Sequence, residues 1–415
     1  MSAAWVVTGV GIVSAAGDDL GALLAALAEG VPLTRPAPGT APAPGAARVP
    51  VEGFDPKRYV QRRGVRDLSR TSQLACCAGA PLSGALDAIP ASEVGVVLGT
   101  AWGSVASIVG FERQASRGGP RLVDPLLFSE TVANVPAGQV SIFHGWSAFN
   151  ATVSSGAASG IEAIREAVAL LEEGRAAAAV AGGADELNLP LLEALAAAGQ
   201  IAASPGSLPF SAGRAGPAGG EGACLLLIEE EGRARDRGAR PLGRIRAWSA
   251  RYAPRPGAGA RAGGEGGLAG YSLARPVEDL LREALEEAGW RASGVDLIAA
   301  SGDGSVEGDR DEAEALAAVF GAGSASPHVL APKGILGETW GASGPLGAAA
   351  ALGCMAAGTV PGRPRGFRPD PALPPLNFPE AARQAEVRRA AVLARSASGH
   401  LSALLLESAE GARGG

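Results

Sequence analysis

Along this chain, short unbroken apolar runs alternate with longer segments in which apolar positions return every three or four residues. The runs at 5–13 (WVVTGVGIV), 94–100 (VGVVLGT), 176–184 (AAAAVAGGA) and 223–231 (ACLLLIEEE) are bounded by glycines or charges, the pattern of buried strands. Segments 160–174 (GIEAIREAVALLEEG) and 276–290 (PVEDLLREALEEAGW) instead place their apolar residues on one helical face, with Glu and Arg opposite. The second half repeats the logic of the first, with a helix at 276–290, a strand at 295–300, a helix after Asp309 and a strand at 390–395. Alternation of this kind predicts an α/β protein with buried strands. The glycines of 258–267 (AGARAGGEGG) predict a flexible connection between the halves.

Composition narrows the class only a little. With 415 residues and 47% hydrophobic content the chain can bury a large core, and length alone predicts two to three domains. A formal charge of −6 leaves no nucleic-acid footprint. The Arg-rich stretch 62–70 reads either as a solvated loop or as a docking patch for an acidic partner. Cys76, Cys77, Cys224 and Cys354 sit in apolar surroundings without CxxC spacing, so reduced core residues are expected and no metal site. The alanine runs starting at Ala176 and Ala348 read as core, and no run of about 18 uncharged apolar residues suggests a membrane span. The first residues lack a basic leader region, and a cytoplasmic protein is expected.

The chemistry centres on 152–160, TVSSGAASG, which runs directly into an Ala-rich helix. The stretch resembles the nucleophile elbow of the β-ketoacyl synthase family, with Ala157 where that family carries cysteine. Supporting stretches follow in the family's order: 6–17 (VVTGVGIVSAAG), 95–104 (GVVLGTAWGS), 134–140 (NVPAGQV), 181–186 (AGGADE), 209–230 and 237–241. The resemblance implies the thiolase-like fold, two similar halves in a five-layer αβαβα arrangement, divided here as 1–240 and 241–415. It also implies that two histidines are missing. The turn SGDGSVEGDRDE puts Ser301 in the first histidine position while keeping Gly308, Asp309 and Glu312; APKGILGETWGASG keeps Lys333 and puts Glu338 in the second. An alanine methyl has no lone pair with which to attack a thioester, and a carboxylate at Glu338 repels a developing enolate.

The tail LARSASGHLSALLLE at 393–407 resembles one branch of the family, the chain-length factors or ketosynthase β subunits of type II polyketide and related polyene synthases. These lack the cysteine, usually carry glutamine there, and pair with an active ketosynthase α subunit. By that resemblance the chain is a non-catalytic subunit that completes a partner's acyl tunnel. Val105, Ile108 and Glu112 are the tunnel or gate positions, with Trp102, Phe111, Phe128 and Trp146 as bulky neighbours. Acyl chains are presented on the phosphopantetheine of acyl carrier protein, and no other cofactor is implied. Two alternatives stand beside this: a residual malonyl-carrier decarboxylase or initiation subunit, and a carrier-protein-binding pseudoenzyme. A shifted elbow would make Ser155 or Ser159 the nucleophile, although His144, His328 and His400 fall outside the family's catalytic slots. Lys333 reads either as part of the old active-site network, paired with Glu338 and Glu312, or as half of a structural ion pair.

Overall fold

The computed structural model describes residues 4–38, 45–254 and 272–409; the connection expected at 258–267 lies outside them. Ten described strands form one continuous sheet: β1 (Trp5–Ser14), β2 (Val94–Gly99), β3 (Asn150–Val153), β4 (Ala178–Asp185), β5 (Gly222–Glu230), β6 (Gly243–Tyr252), β7 (Leu297–Ala299), β8 (His328–Leu330), β9 (Arg389–Arg395) and β10 (His400–Ser408). Their order is β8-β7-β9-β10-β6-β1-β5-β4-β2-β3. Counted outward from the centre, each half uses its own strands in the order first, fifth, fourth, second, third. Orientation is duplicated as well. The second, third and fourth strands of each half run parallel, and the fifth pairs antiparallel with the fourth and the first. The halves meet where β1 pairs antiparallel with β6 over Trp5–Ile245, Val6–Arg244 and Val7–Gly243. The proposed division at residue 240 falls in the linker between β5 and β6.

The principal helices are α1 (Arg70–Ala85), α2 (Val105–Gly118), α3 (Val135–His144), α4 (Ser159–Glu172), α5 (Leu189–Ala197), α6 (Ala274–Ala288), α7 (Val306–Phe320) and α8 (Ser343–Ala357). Helices α1 and α3 cover the outer face of the first half, and α6 with α7 cover that of the second. Between the halves lie α4 and α8, which pack on each other and on strands of both. This is the αβαβα layering, and each helical layer has its own apolar core.

Strand periodicity explains how one strand serves two cores. On β10, Leu401, Ala403 and Leu405 face the outer helices while Leu404 and Leu406 face the middle layer, as a period of two requires. On β1 the register shifts between Val7 and Gly9. That bulge changes the parity, so Trp5 and Val7 before it and Val10 and Ile12 after it all reach the middle layer. The middle layer is unusually close. A Cβ on Gly160 of α4 or on Gly183 of β4 would collide with the Gly341 carbonyl oxygen. Small residues also dominate α8, where Gly344 through Cys354 are all buried.

Two boundaries differ from expectation. Helix α7 starts at Val306 rather than after Asp309, with Glu307 and Asp309 in its first turn, where carboxylates favour the positive end of the helix dipole. Strand β7 spans only three residues within 295–300. All four cysteines are buried free thiols, and burial pushes the Cys77 and Cys354 thiols up to about 12.

His144 closes the outer layer of the first half. Its Nε2 lies 2.9 Å from the Cys76 carbonyl oxygen and its Nδ1 3.0 Å from Ser83 Oγ, with the ring stacked on Trp146. Burial holds its pKa below the usual histidine value despite the Cys76 contact. The unfolded chain therefore takes up this proton first, and the stability His144 contributes at neutral pH is lost as pH falls below about 6.5. Urea unfolding at pH 7.5 and 5.5 is expected to show a smaller pH dependence in His144→Gln than in the parent.

Candidate functional site

Strand β3 ends at Val153, and the chain turns through Ser155, Gly156 and Ala157 into α4. Gly156 has φ +61, and a Cβ there would strike Ser396 Oγ, so this turn needs glycine on both counts. Ser159 Oγ accepts the Ser155 N–H at 2.8 Å and donates to the Gly156 carbonyl oxygen at 2.6 Å. Its hydroxyl is fully buried and committed to backbone, so it is not placed to act as a nucleophile. Ala157 is 4% exposed, just ahead of the first turn of α4. The turn has the form of an elbow, and the residue at its helix entrance is a buried alanine.

Around Ala157, Ser301 and Glu338, the residues that the resemblance puts in the two histidine positions, are joined through Lys333. Lys333 Nζ donates to Glu338 Oε2 at 2.6 Å and to Ser301 Oγ at 3.2 Å. Glu338 Oε1 accepts from Trp340 N and from Ser343 Oγ, each at 2.7 Å. Glu312 is engaged elsewhere: its Oε1 accepts the Ser301 N–H at 2.7 Å, and its Oε2 faces Arg395 Nε at 3.8 Å. Lys333 is therefore paired with Glu338, and Glu312 with Arg395. Asp309 holds the surrounding turns, accepting N–H groups of Phe210, Asp303 and Gly304.

Arg395 was not singled out in the sequence, yet it organises this cluster. It is 5% exposed, and its guanidinium bonds Asp303 at 3.3 Å. Burial opposes its charge, but Asp303, Glu312, Asp309 and Glu338 together raise its pKa above the ordinary arginine value. Burial likewise opposes ionisation of Asp303, and the charges of Arg395 and Lys333 overcome it, holding that carboxyl low. Glu312 and Asp309 go the other way, raised chiefly by burial. An arginine ending an otherwise apolar strand, RAAVLAR, is the sequence signal that could have flagged it.

A second pair of buried carboxylates sets the wall beside Ala157. Asp185 Oδ1 accepts from Thr100 Oγ1 at 2.7 Å and Trp102 N at 2.9 Å, and Oδ2 accepts from Ala101 N and Gly341 N, both at 2.8 Å. Burial pushes this carboxyl up to about 6 against those four donors. Glu186 accepts the Ala106 N–H at 3.0 Å in the first turn of α2. A cavity of about 850 Å³ opens here. Ala157, Trp102, Leu195, Ile201 and Trp340 line its apolar part; Asp303, Glu338 and Arg395 line its polar part. Among the described residues no cluster of three His, Cys, Asp or Glu side chains is arranged to hold a metal ion, and no helix is long and apolar enough to cross a membrane.

The predicted gate residues lie outside this cavity. Val105, Ile108 and Glu112 share one face of α2 by their spacing. Val105 packs on the cluster of Leu191, Leu195, Ile201 and Trp340, while Ile108 and Glu112 are exposed. Phe111 and Phe128 pair at 5.9 Å near the same surface, whereas Trp146 is core. In the Arg-rich stretch, Arg70 turns inward to Glu221 and Arg66 pairs with Asp55, so those two are not free for docking.

A duplicated five-layer sheet with an elbow at the end of β3 defines a thiolase-like protein. The description of the β-ketoacyl synthase N-terminal domain matches residues 5–234, and that of the C-terminal domain matches 259–365. The chain belongs to the β-ketoacyl synthase family. It is 32% identical over 97% of its length to a putative polyketide beta-ketoacyl synthase 2 from Streptomyces coelicolor, of which the match covers 94%. It is 34% identical to the tetracenomycin polyketide synthase ketoacyl synthase beta subunit from Streptomyces glaucescens, over 66% of this chain and 64% of that one. Among solved structures, the ishigamide ketosynthase/chain length factor superposes with a TM-score of 0.86 at 24% identity, covering 98% of this chain and 99% of that one.

The Lys333–Glu338 pair is 7% exposed on both sides. Removing one partner strands a buried charge, so Glu338→Gln is expected to destabilise the fold by about 3 kcal/mol or more. The double variant Lys333→Met/Glu338→Met leaves no lone charge and is expected to melt above either single change, as a thermal unfolding series would show.

Proposed function

We propose that this chain is a non-catalytic, chain-length-factor-type subunit of a type II polyketide ketosynthase. It pairs with a cysteine-bearing ketosynthase, completes that partner's acyl tunnel, and works on chains delivered by acyl carrier protein on phosphopantetheine. The observation that supports this reading is the elbow with Ala157, which by the resemblance takes the nucleophile position, beside Ser301 and Glu338, which by the resemblance take the histidine positions and are joined through Lys333. Without a nucleophile there is no acyl-enzyme, and without the histidines no group takes the charge of a malonyl-derived enolate. Similarity to a tetracenomycin ketoacyl synthase beta subunit and the exposed Ile108 of α2 support it, and the ishigamide ketosynthase/chain length factor shares the fold.

The decarboxylase alternative fares worse on charge. Asp303 and Glu338 both line the cavity, and Lys333 and Arg395 are already engaged by carboxylates. A malonyl carboxylate entering here finds both of these cations already paired with carboxylates.

Co-expression with a cysteine-bearing type II ketosynthase, size exclusion and a malonyl-carrier condensation assay test the reading. The expected outcome is a one-to-one complex that condenses, no condensation by this chain alone, and shorter products when Val105 or Ile108 is replaced by Trp. Ala157→Cys in the isolated chain is expected to remain without condensation, because Ser301 and Glu338 still occupy the histidine positions. Condensation by the unmodified chain alone would overturn the proposal.

A further inference from the structure

The turn that joins β9 to β10 carries a serine–serine–histidine chain at the wall of the cavity beside Ala157. Ser396 Oγ lies 2.8 Å from Ser398 Oγ, and Ser398 Oγ lies 3.1 Å from His400 Nδ1. Ser396 Oγ also accepts the Ser398 N–H at 3.3 Å. With the imidazole proton on Nε2, Nδ1 accepts the Ser398 hydroxyl, and Ser398 Oγ is left to accept the Ser396 hydroxyl. The two hydroxyls then donate in one direction, toward the imidazole. Ser396 and Ser398 both line the cavity, Ser398 is exposed, and His400 is half-buried on the side of β6.

The turn is fixed on both sides. The Ser396 N–H donates to the His400 carbonyl oxygen at 2.8 Å, and the Gly399 N–H to the Ser396 carbonyl oxygen at 3.0 Å. Gly399 has φ +96, and a Cβ there would strike the Ala253 carbonyl oxygen, so the turn packs closely on the end of β6. There the Tyr252 ring lies 4.7 Å from the His400 ring and orients the imidazole from behind. On the opposite side Ser396 Oγ presses on Gly156 of the elbow.

The cavity in front of Ser398 fits an uncharged acyl group. Its volume of about 850 Å³ falls within the range of about 300–1,000 Å³ that small-molecule sites occupy. Trp102 and Trp340, an edge-to-face aromatic pair with ring centroids 6.2 Å apart, form its apolar wall with Leu195 and Ile201. Its charged lining is Asp303, Glu338 and Arg395; Arg395 is bonded to Asp303 and Glu338 to Lys333, which disfavours a carboxylated acyl group.

We infer that Ser398 and His400 are a nucleophile–base dyad that hydrolyses uncharged acyl thioesters whose acyl chain lies in this cavity, with Ser396 as a positioning residue. Ser398 Oγ bonds the acyl carbonyl carbon as its proton passes to His400 Nδ1, and the carbon–sulfur bond breaks with the leaving thiolate taking that proton. Water then attacks the ester and gives a proton to Nδ1, and Ser398 Oγ recovers it as the carboxylic acid leaves. The acceptor is water, so the activity stands apart from condensation, uses an atom outside the elbow, and does not depend on the tunnel-completing role.

The test uses the purified full-length chain. A fluorophosphonate probe is expected to add one label, which peptide mass spectrometry places on Ser398, and S-butyryl-N-acetylcysteamine is expected to be hydrolysed to butyrate. Ser398→Ala, a change at an exposed position, is expected to abolish both. His400→Gln is expected to slow both by about 100-fold or more, the usual contribution of a general base. Ser396→Ala is expected to lower kcat with KM unchanged. A folded chain that neither takes the label nor releases butyrate overturns the inference, as does a label on another residue or butyrate release that survives Ser398→Ala. Assembly with the ketosynthase and product length are read separately, so failure here leaves the proposed function standing.

Discussion

Asp185 is the constraint on which the site depends. Its carboxylate is fully buried at the end of β4, and its four donors come from both halves: Thr100, Ala101 and Trp102 from the turn after β2, Gly341 from the turn before α8. Burying a carboxylate is tolerable only when its lone pairs are filled, and here all the donors aim inward. Fixing Gly341 also fixes the carbonyl oxygen against which Gly160 and Gly183 pack. The elbow, the aromatic pair and the close approach of α4 to the second half are thus one arrangement held by one side chain.

The residues that the resemblance puts in the histidine positions are tied into the surrounding structure. Every substituted position bonds to a neighbour: Ser301 Oγ accepts from Lys333 and from Arg395 N, and Glu338 takes Lys333, Trp340 and Ser343. A half-satisfied polar network in a low-dielectric interior is worse than none. The replacements make a connected network of new composition, with Arg395 supplying positive charge at the centre.

Much of the fold was legible because continuous apolar runs mark strands buried on both faces, and 5–13, 94–100 and 223–231 all became sheet strands. The elbow was legible because its glycine and small residues are demanded by local backbone geometry. Arg395, Asp185 and Trp340 were harder to see. Their roles depend on partners 92, 83 and 155 residues away in sequence, at Asp303, Trp102 and Asp185, the last reached through Gly341 next to Trp340. The pairing of Lys333 was half legible: spacing brought Glu338 within reach, whereas the commitment of Glu312 to Ser301 and Arg395 is a tertiary fact.

The two halves of the sheet are joined by only three residue pairs between β1 and β6. Outside the sheet the halves are tied further: the Gly220 N–H donates to the Glu338 carbonyl oxygen, the Glu338 N–H to the Ala218 carbonyl oxygen and the Gly216 N–H to the Gly304 carbonyl oxygen, while α4 and α8 press their buried faces together. Dispersion of this kind is short-ranged, and a gap of about 0.5–1 Å already forfeits about a quarter to a half of it. Backbone hydrogen bonds and close contacts are lost over the same short distance, so under mechanical load this seam would fail as a brittle joint does, without gradual yielding.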